Sequence, residues 1–471
     1  MGFLMDGLDA ESYDRQYTDR ELVRRIAGYF KPHLRRMSVI AVVLIAASML
    51  EIGLPIAISA AIDELTQSAP MSAVLTTGLV ITVIACSSWL LNYIRRSRTA
   101  EVVGDVVYNV RADSFDAVLG HDMSFFDFTP SGKVVQRITG DTQAFSSVAT
   151  LTLELISQLL VVVVLFIYLF TIDAGLTLIL LIIVPIIMLI AFAFRTIARR
   201  AITASRRMRS VVTSHIQETV SGIGVAKTFR QESAVYSDFR RVNQQSYWVN
   251  MRTGFVFSGI FPILTMVAGI GTAALVYFGG LRVMNSDLSA GDWYLFIQGV
   301  AIFWFPLTSI ASFWSQFQQG LSAGERIFGL LDADPKVVQT GELSLSTLRG
   351  DIRFADVGFS YVDNEQVLAD FSLHIPAGQM LAIVGHTGAG KSSLGKLVAR
   401  FYEFQSGQLN IDDHDIRTLD LSDYRRKLGI VTQTPFLFEG TIRSNIAYGK
   451  RGASRAAIER AARAIGGGDW I

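Results

Sequence analysis

The sequence predicts a membrane α-helical bundle of six long transmembrane helices, followed by a smaller α/β domain. Apolar residues make up 51% of the 471 positions and the mean hydropathy is positive, as is typical of membrane proteins. Six apolar runs are each long enough to cross a bilayer. Beyond Asp334-Pro335, short β-type runs alternate with turn residues, which is typical of a soluble α/β domain.

The first 36 residues are polar and lack the apolar core and cleavage site of a secretion signal. Within 19–36, apolar residues recur at helical spacing among arginines: Leu22, Ile26, Tyr29 and Phe30. This pattern favours a cytoplasmic leader that ends in an elbow helix on the inner membrane surface. A solvated leader remains the alternative.

The six apolar runs place the spans at 38–62, 73–94, 148–170, 174–194, 254–278 and 293–314. Arginines concentrate in the segments that join spans two and three and spans four and five, whereas the outer connections contain almost none. Positive residues near span ends are retained in the cytoplasm. The pattern therefore predicts a multi-pass protein of the cell (inner) membrane with both termini in the cytoplasm.

Net charge and cysteine content narrow the class further. The formal net charge is +1, so charge balance does not favour a nucleic-acid partner. The single cysteine, Cys86, lies in an apolar run and can form no intrachain disulfide, so we interpret it as a core or lipid-facing residue.

The two inner connections keep helical periodicity over 98–119 and 199–220, so we expect each span to continue into the cytoplasm as a helix. Gly, Pro and Ser then mark turns at 121–133 and 221–232. The turns carry three aromatic residues, Phe125, Phe126 and Phe229. These either dock on another domain or pack between the helices, and the pattern alone leaves both open.

An apolar run at 380–385 reads as a buried strand and leads into a glycine-rich loop and a helical stretch. The loop matches the G-x-x-x-x-G-K-S pattern of P-loop NTPases. It consists of Gly385, His386, Thr387, Gly388, Ala389, Gly390, Lys391, Ser392 and Ser393. Backbone N–H groups of such a loop surround phosphate oxygens, the lysine reaches the outer phosphates and the first serine binds Mg²⁺. The motif predicts a nucleotide with Mg²⁺, as in kinases, GTPases and helicases, and the resemblance given next implies ATP as the nucleotide.

The segments around this loop resemble ABC transporters of the exporter type, such as bacterial lipid and multidrug half-transporters and exporter-fold siderophore transporters. SFFDFTPSGKVVQRITGD at 124–141 and GIGVAKTFRQE at 222–232 resemble the family's inner loops, and ERIFGLLD at 325–332 resembles its link after the sixth span. The resemblance implies the following domains: a leader with its elbow helix at 1–36, a transmembrane domain at 37–330, a linker at 331–350, and the N-terminal part of a nucleotide-binding domain at 351–471.

The resemblance also implies roles for single residues. Tyr361, at the end of FADVGFSY, falls where the family stacks an aromatic ring on adenine, although a tyrosine ending a strand is also consistent with ordinary packing. Gln433 falls at the Q-loop position, where it contacts Mg²⁺ or the attacking water. Phe125, Phe126 and Phe229 fall on the coupling helices that dock on nucleotide-binding domains.

Several motifs of the family are not found in the 471 residues: the LSGGQ signature, the Walker B strand with its catalytic Glu, and the switch His. The P-loop NTPase domain is therefore expected to be incomplete and the sequence to be C-terminally truncated. The resemblance implies an ATPase translocase when complete, and we expect this chain alone to hydrolyse ATP poorly.

Polar residues inside the spans are candidates for substrate contact, because burying them in lipid is costly. Glu51 lies in the first span, Glu154 and Gln158 lie one turn apart in the third, and Trp304 lies in the sixth. A cavity for an amphipathic, cationic molecule would use such carboxylates and aromatic faces. Alternatively, the glutamates pair with neighbouring helices and the tryptophans lie at lipid interfaces.

By the resemblance, two half-transporters pair as a homo- or heterodimer in the bilayer and move an amphipathic small molecule by alternating access, with export as the leading interpretation. Two other functions stay open. One is import of a siderophore by an exporter-shaped pump. The other is a membrane regulator that senses nucleotide without turning it over.

Overall fold

The computed structural model describes residues 17–66, 70–362, 365–450 and 452–465, and its contacts divide the chain into two compact units. The first unit comprises Met1–Asp116 and Val134–Asp332, and the second comprises Ala117–Lys133 and Ala333–Ile471. The second unit therefore includes a short segment that lies, along the chain, between helices of the first.

Helices form the first part of the chain up to residue 331. In chain order they are α1 (Asp19–Phe30), α2 (Leu34–Thr66), α3 (Met71–Gly120), α4 (Met123–Phe128), α5 (Ser131–Gln136), α6 (Thr142–Ile172), α7 (Ala174–Ser221), α8 (Ile223–Thr228), α9 (Glu232–Met284) and α10 (Ala290–Leu331). A 3-10 turn at Lys31–His33 joins α1 to α2, and a π-helical turn at Arg137–Asp141 precedes α6.

Each predicted span falls within one long helix. Over the residues that the structure describes, five helical stretches are long and apolar enough to cross a membrane, and they contain the first five predicted spans. Four of the helices continue through an internal proline, which helices inside membranes tolerate: Pro55, Pro185, Pro262 and Pro306. The sixth span, within α10, stays a prediction.

Several helices extend far beyond the bilayer thickness, among them α3 with 50 residues, α7 with 48 and α9 with 53. At 1.5 Å per residue these lengths are roughly 70–80 Å, more than twice the ~30 Å of hydrocarbon. The prediction that the spans continue as helices over 98–119 and 199–220 is confirmed. The predicted turns contain the short helices α4 and α8.

The helices of the first unit pack around an apolar core contributed by α2, α6, α7, α9 and α10. Its most buried members include Leu165, Leu169, Leu275, Leu295 and Phe296. Large apolar side chains on the opposite helix faces are exposed, as expected for a surface that contacts lipid.

The elbow helix α1 forms as predicted, and its N-cap Thr18 accepts a hydrogen bond from the Glu21 N–H. Its apolar side chains are partly covered by protein, and Val23 is 45% exposed. Leu22 is buried with Leu321 and Phe328 of α10. α1 therefore contributes to the stability of the first unit by packing against α10.

The second unit contains a four-stranded antiparallel sheet in the order β2-β1-β3-β4. The strands are β1 (Ile352–Ser360), β2 (Gln366–Ile375), β3 (Ser406–Ile411) and β4 (His414–Asp415). The helices of this part are α11 (Lys391–Val398), α12 (Leu421–Arg426), α13 (Ile442–Ile446) and α14 (Arg455–Ala464). Leu394 and Leu397 of α11 share one buried core with Phe359 of β1 and Leu368 of β2, which fixes α11 against the sheet.

The strand predicted at 380–385 is wrong. No regular strand forms there, and the side chains of Met380 and Val384 are 98% and 87% exposed. A buried strand needs hydrogen-bonding neighbours on both sides. Among the described residues every ladder is antiparallel and none includes 380–385.

Candidate functional site

The phosphate loop, residues 385–393, ends at the N-terminus of α11. Gly390 is the N-cap residue with φ +78°, and Gly388 has φ +89°, a region that favours glycine. A Cβ on Gly390 would also lie 3.1 Å from the Leu368 side chain. The first N–H groups of a helix have no intrahelical partner, so the loop leads into donors available to an anion.

Lys391 contributes the positive charge of this loop. Its Nζ donates to the carbonyl oxygens of Gly385 at 2.8 Å and His386 at 2.7 Å. The ammonium is thus held against the start of the loop while its own Cα begins α11. A cation beside a helix N-terminus is a suitable environment for phosphate oxygens.

The two serines of the loop have different surroundings. Ser393 is 4% exposed, and its Oγ lies 3.0 Å from the Tyr361 hydroxyl. Ser392 is exposed, so its hydroxyl can serve as one of the hard oxygen ligands that Mg²⁺ prefers alongside phosphate oxygens. The other loop residues before Gly390 are exposed too: His386, Thr387 and Ala389.

Tyr361 packs within an aromatic cluster beside the loop. Its ring lies edge-on to Phe359 and Tyr402, with centroids 4.7 and 4.9 Å away. The Lys396 ammonium lies 5.0 Å from its ring centroid. Packing and the bond to Ser393 thus orient this ring next to α11, and stacking on adenine stays a prediction.

Gln433 is exposed and lies in a stretch without helix or strand. The neighbouring Thr432 hydroxyl donates to the Thr434 carbonyl oxygen at 2.9 Å, which closes a local turn. Among the contacts of the described residues, none joins the Gln433 side chain to the phosphate loop. Its predicted role toward Mg²⁺ therefore remains untested by the geometry.

The segment 117–133 contacts the rest of the second unit through acidic residues. The Tyr402 hydroxyl donates to Asp127 Oδ2 at 2.7 Å. Burial and this hydrogen bond raise the pKa of Tyr402. Since Tyr402 also contacts Tyr361, the bond links α4 to the aromatic cluster beside the phosphate loop.

Asp122 forms the second acidic contact. It is the N-cap of α4 and accepts from the Ser124 N–H at 2.8 Å, while its other oxygen accepts from the Val337 N–H at 2.9 Å. Burial acts to raise the pKa of Asp122, but hydrogen bonds from Ser124, Val337 and Lys336 outweigh it, so this pKa is lowered.

The aromatic residues predicted for docking have other surroundings. Phe125 stacks on His121 with centroids 4.2 Å apart and meets Phe126 edge-on at 5.3 Å. Phe229 follows α8 and is 69% exposed. A neighbouring aromatic residue, Phe128, contacts 333–471, with Lys336 5.7 Å from its ring centroid. The docking role of Phe125, Phe126 and Phe229 stays a prediction.

Sequence reasoning missed Asp122 and Asp127. A signal was present, because an aspartate directly before a short apolar stretch is a preferred helix N-cap. The partner Tyr402 could not be found this way, since it lies 275 positions away along the chain.

Within the first unit, polar residues gather around one cavity of about 480 Å³, here called the polar cavity. It is lined by Glu51, Asn92, Arg95, Arg96, Glu154, Ser157, Gln158, Val161, Ala301, Ile302 and Pro306. Three of the four candidates for substrate contact are thus brought together. The side chain of Trp304 lies outside the described part of the chain.

The arginines of the polar cavity were not predicted as site residues. Arg95 and Arg96 directly follow the second predicted span. Sequence reasoning used arginines at such positions only to predict the orientation of the spans in the membrane. Arg96 NH2 lies 3.8 Å from Glu154 Oε1. The alternative that a glutamate pairs with a neighbouring helix therefore applies to Glu154.

Comparison with known proteins gives two matches along the chain. Residues 37–307 match the family model of the ABC transporter transmembrane region. Residues 368–470 match a second family model, ABC transporter. The first match covers more than half of the 471 residues and includes the segment 117–133.

Three curated relatives illustrate the similarity. The uncharacterized ABC transporter ATP-binding protein YknV of Bacillus subtilis is 30% identical over 81% of this chain and 64% of its own length. An ATP-dependent lipid A-core flippase of Syntrophus aciditrophicus is 28% identical over 96% of this chain and 75% of its own. A fatty acid ABC transporter ATP-binding/permease protein of Mycobacterium tuberculosis is 31% identical over 77% of this chain and 57% of its own length.

The chain therefore spans between 57% and 75% of the length of these relatives. The membrane match, the ATP-binding match and the similarity across both regions agree with the helical first unit and the phosphate loop of the second. The chain belongs to the ABC transporter family, with a transmembrane region and an ATP-binding region joined in one polypeptide.

Proposed function

We propose that this chain is one half of an ATP-driven transporter that moves an amphipathic compound across the cell (inner) membrane, most simply outward. The observation that carries the proposal is the phosphate loop at the N-terminus of α11, on the same chain as a helical membrane region. ATP binding would supply the energy, and alternating access of the membrane helices would move the compound.

The phosphate loop binds ATP in this proposal. Lys391 neutralises the outer phosphates, the N–H groups that begin α11 donate to phosphate oxygens, and Tyr361 supports the adenine base. Ser392 holds Mg²⁺ together with phosphate oxygens, and Gln433 joins it from the Q-loop position. Mg²⁺ would neutralise charge on the phosphates during their transfer.

Coupling between ATP and the membrane region runs through the segment 117–133. Two hydrogen bonds support this proposal. The Tyr402 hydroxyl donates to Asp127, and the Val337 N–H donates to Asp122. Phe125, Phe126 and Phe229 remain proposed coupling residues on the two inner turns, with Phe125 and Phe126 shaping α4 through their own packing.

The polar cavity is the proposed substrate site, with Glu51, Glu154 and Gln158 in its wall. Trp304 is also a proposed substrate contact. Relatives named as a lipid A-core flippase and a fatty acid transporter support an amphiphile as the transported class. A second half-transporter completes the assembly, and both termini lie in the cytoplasm. The domain boundaries that we propose are 1–36, 37–330, 331–350 and 351–471.

ATP binding to the purified chain in detergent tests the phosphate loop, with a fluorescent ATP analogue as the probe. Lys391→Ala should weaken binding by about 10- to 100-fold, since a hydrogen bond to a charged group contributes about 1.5–3 kcal/mol. Lys427→Ala is the matched control, because Lys427 binds Asp423 at 2.6 Å and lies outside the loop. Equal affinity in both variants would rule out the proposed site.

Transport is tested separately with the full-length gene product in vesicles. ATP-dependent accumulation of an amphiphile that Lys391→Ala abolishes supports a transporter. ATP binding without turnover or transport would instead support the nucleotide-sensing regulator.

A further inference from the structure

The polar cavity holds two opposite charges that lack ion-pair partners among the described residues. The Arg95 side chain is buried, with 5% of the residue exposed, and its guanidinium donates only to the neutral Asn92 Oδ1, at 3.1 and 3.3 Å. Glu51 faces the same cavity and forms no salt bridge in the described part of the chain. A buried charge without an ion-pair partner is costly, which applies to Arg95, whereas Glu51 is exposed toward the cavity. A ligand that supplied an anion to Arg95 and a cation to Glu51 would therefore be favoured.

The other charged residues of the cavity largely cancel each other. Arg96 and Glu154 approach to 3.8 Å, and their side chains are 71% and 38% exposed. The attraction within this pair is therefore weak, and the pair carries no net charge. The remaining charge that a ligand meets is one positive group, Arg95, and one negative group, Glu51.

An acceptor in the cavity wall also lacks a donor. The Gln158 Oε1 atom is buried and has no hydrogen-bond partner among the side chains that the structure describes. Ser157, its neighbour in the wall, is already 3.3 Å from the Ser48 hydroxyl. A buried acceptor without a donor is uncommon in folded proteins, so the Gln158 oxygen favours a ligand that carries N–H groups.

We propose that the polar cavity selects zwitterionic amphiphiles, whose headgroup carries an anionic oxygen group and an ammonium. The anionic group binds Arg95, and the ammonium binds Glu51 and Gln158 Oε1. This proposal rests on the proposed function, because it names the class of compound that the substrate site accepts.

Charge balance distinguishes this class from the alternatives. Two arginines and two glutamates give the cavity a formal charge of zero. A purely cationic or anionic headgroup would bind one of Arg95 and Glu51, leave the other without a salt bridge, and add net charge to the cavity. A zwitterion satisfies both and adds none.

The shape of the cavity fits the same class. Its volume of about 480 Å³ is within the range of ordinary small-molecule sites. The apolar part of the wall, Val161, Ala301, Ile302 and Pro306, can contact the first methylene groups of an acyl chain. The full chain of a lipid would extend beyond it along exposed helix surfaces.

Direct binding tests the proposal without nucleotide, using the purified chain in dodecyl maltoside and change in intrinsic fluorescence. The probes are lauroyl lysophosphatidylethanolamine, which is zwitterionic, lauroyl lysophosphatidylglycerol, which is anionic, and dodecylamine, which is cationic. We expect the zwitterion to bind about tenfold or more tightly than either singly charged probe. Because ATP is absent, this result is independent of whether the phosphate loop binds ATP.

Two variants should shift the preference in opposite directions. Glu51→Gln leaves a net positive cavity and should favour the anionic probe, while Arg95→Gln leaves a net negative cavity and should favour the cationic probe. The matched controls Arg98→Gln and Glu101→Gln remove an exposed pair on α3 that does not line the cavity, and they should retain the zwitterion preference. Arg95→Lys, which keeps the charge, should retain it too.

Two outcomes would overturn the proposal. One is equal affinity of the unchanged chain for all three probes. The other is a loss of affinity in Glu51→Gln without any change in the order of the probes. If Arg95→Gln does not fold, Glu51→Gln still decides, because its expected shift toward the anionic probe needs Arg95 intact.

Discussion

The Tyr402 hydroxyl donates a hydrogen bond of 2.7 Å to Asp127 Oδ2. Tyr402 follows α11, and its ring contacts Tyr361, whose own hydroxyl lies 3.0 Å from Ser393 Oγ. A continuous set of contacts therefore runs from α4 to the phosphate loop. We expect a change at one end to affect the other through these contacts, which the double-variant cycle below tests at its first step.

Removing the Asp127 bond should destabilise the second unit by about 2 kcal/mol, because the acceptor is charged and Tyr402 is buried. Tyr402→Phe, Asp127→Asn and the double variant form a cycle whose coupling is measured by chemical unfolding. Tyr448→Phe is the control, since Tyr448 is exposed and we expect little change there. Additive effects of the two variants would mean that the bond contributes nothing.

The stability of the second unit should fall in acid through Asp122. Its folded-state pKa is lowered, so its contribution is present above the unfolded value of about 3.9 and is lost as pH falls through the lower folded value. Unfolding measured from about pH 7 to about pH 2 should show this loss in the unchanged chain. Asp122→Asn keeps a good N-cap but not the charge, so it should have a flatter profile. If the free energy of unfolding falls equally with pH in the unchanged chain and in Asp122→Asn, the charge of Asp122 does not contribute to the acid sensitivity.

Tyr361 should contribute to ATP affinity through its ring. Tyr361→Ala is expected to weaken ATP binding by about 1–3 kcal/mol, whereas Tyr361→Phe keeps the ring and should bind nearly as well. Inorganic triphosphate has no base, so its affinity should be the same in both variants. If triphosphate and ATP lose affinity equally in Tyr361→Ala, the ring acts on the loop through Ser393 instead.

A buried ion pair fixes the π-helical turn before α6. Asp141 is 4% exposed and accepts two bonds from Arg326 of α10, at 2.9 and 2.5 Å. Asp141→Asn should lower the free energy of unfolding by about 2 kcal/mol. Asp238→Asn, which breaks an exposed pair with Arg241, should cost about 0–1 kcal/mol. Thermal unfolding measures both variants. A similar loss of stability in Asp141→Asn and Asp238→Asn would show that burial does not strengthen the ion pair between Asp141 and Arg326.

The long helices were predictable because each combines a continuous apolar run with helical periodicity beyond it, as in α3 and α7. The phosphate loop was predictable too, since glycine and lysine at fixed spacing serve a single backbone geometry. The strand at 380–385 was not, because a strand depends on neighbours that no local pattern specifies.

The polar cavity shows a second limit of sequence reasoning. Glu51 and Glu154 were recognised as unusual because they interrupt apolar runs, whereas Arg95 looked like an ordinary residue at the end of a span. Only packing reveals that its guanidinium is buried. The same holds for Tyr402, whose partner is determined by how α4 folds back.

α9 extends unbroken over 53 residues from Glu232 to Met284, with Pro262 in its interior. At 1.5 Å per residue, roughly 45 Å of the helix lies before Pro262 and roughly 33 Å after it. A proline removes one backbone hydrogen bond, so Pro262 is the position at which this helix can bend most easily. A bend of about 5° there displaces the Glu232 end, which follows Phe229, by about 4 Å relative to the segment after Pro262.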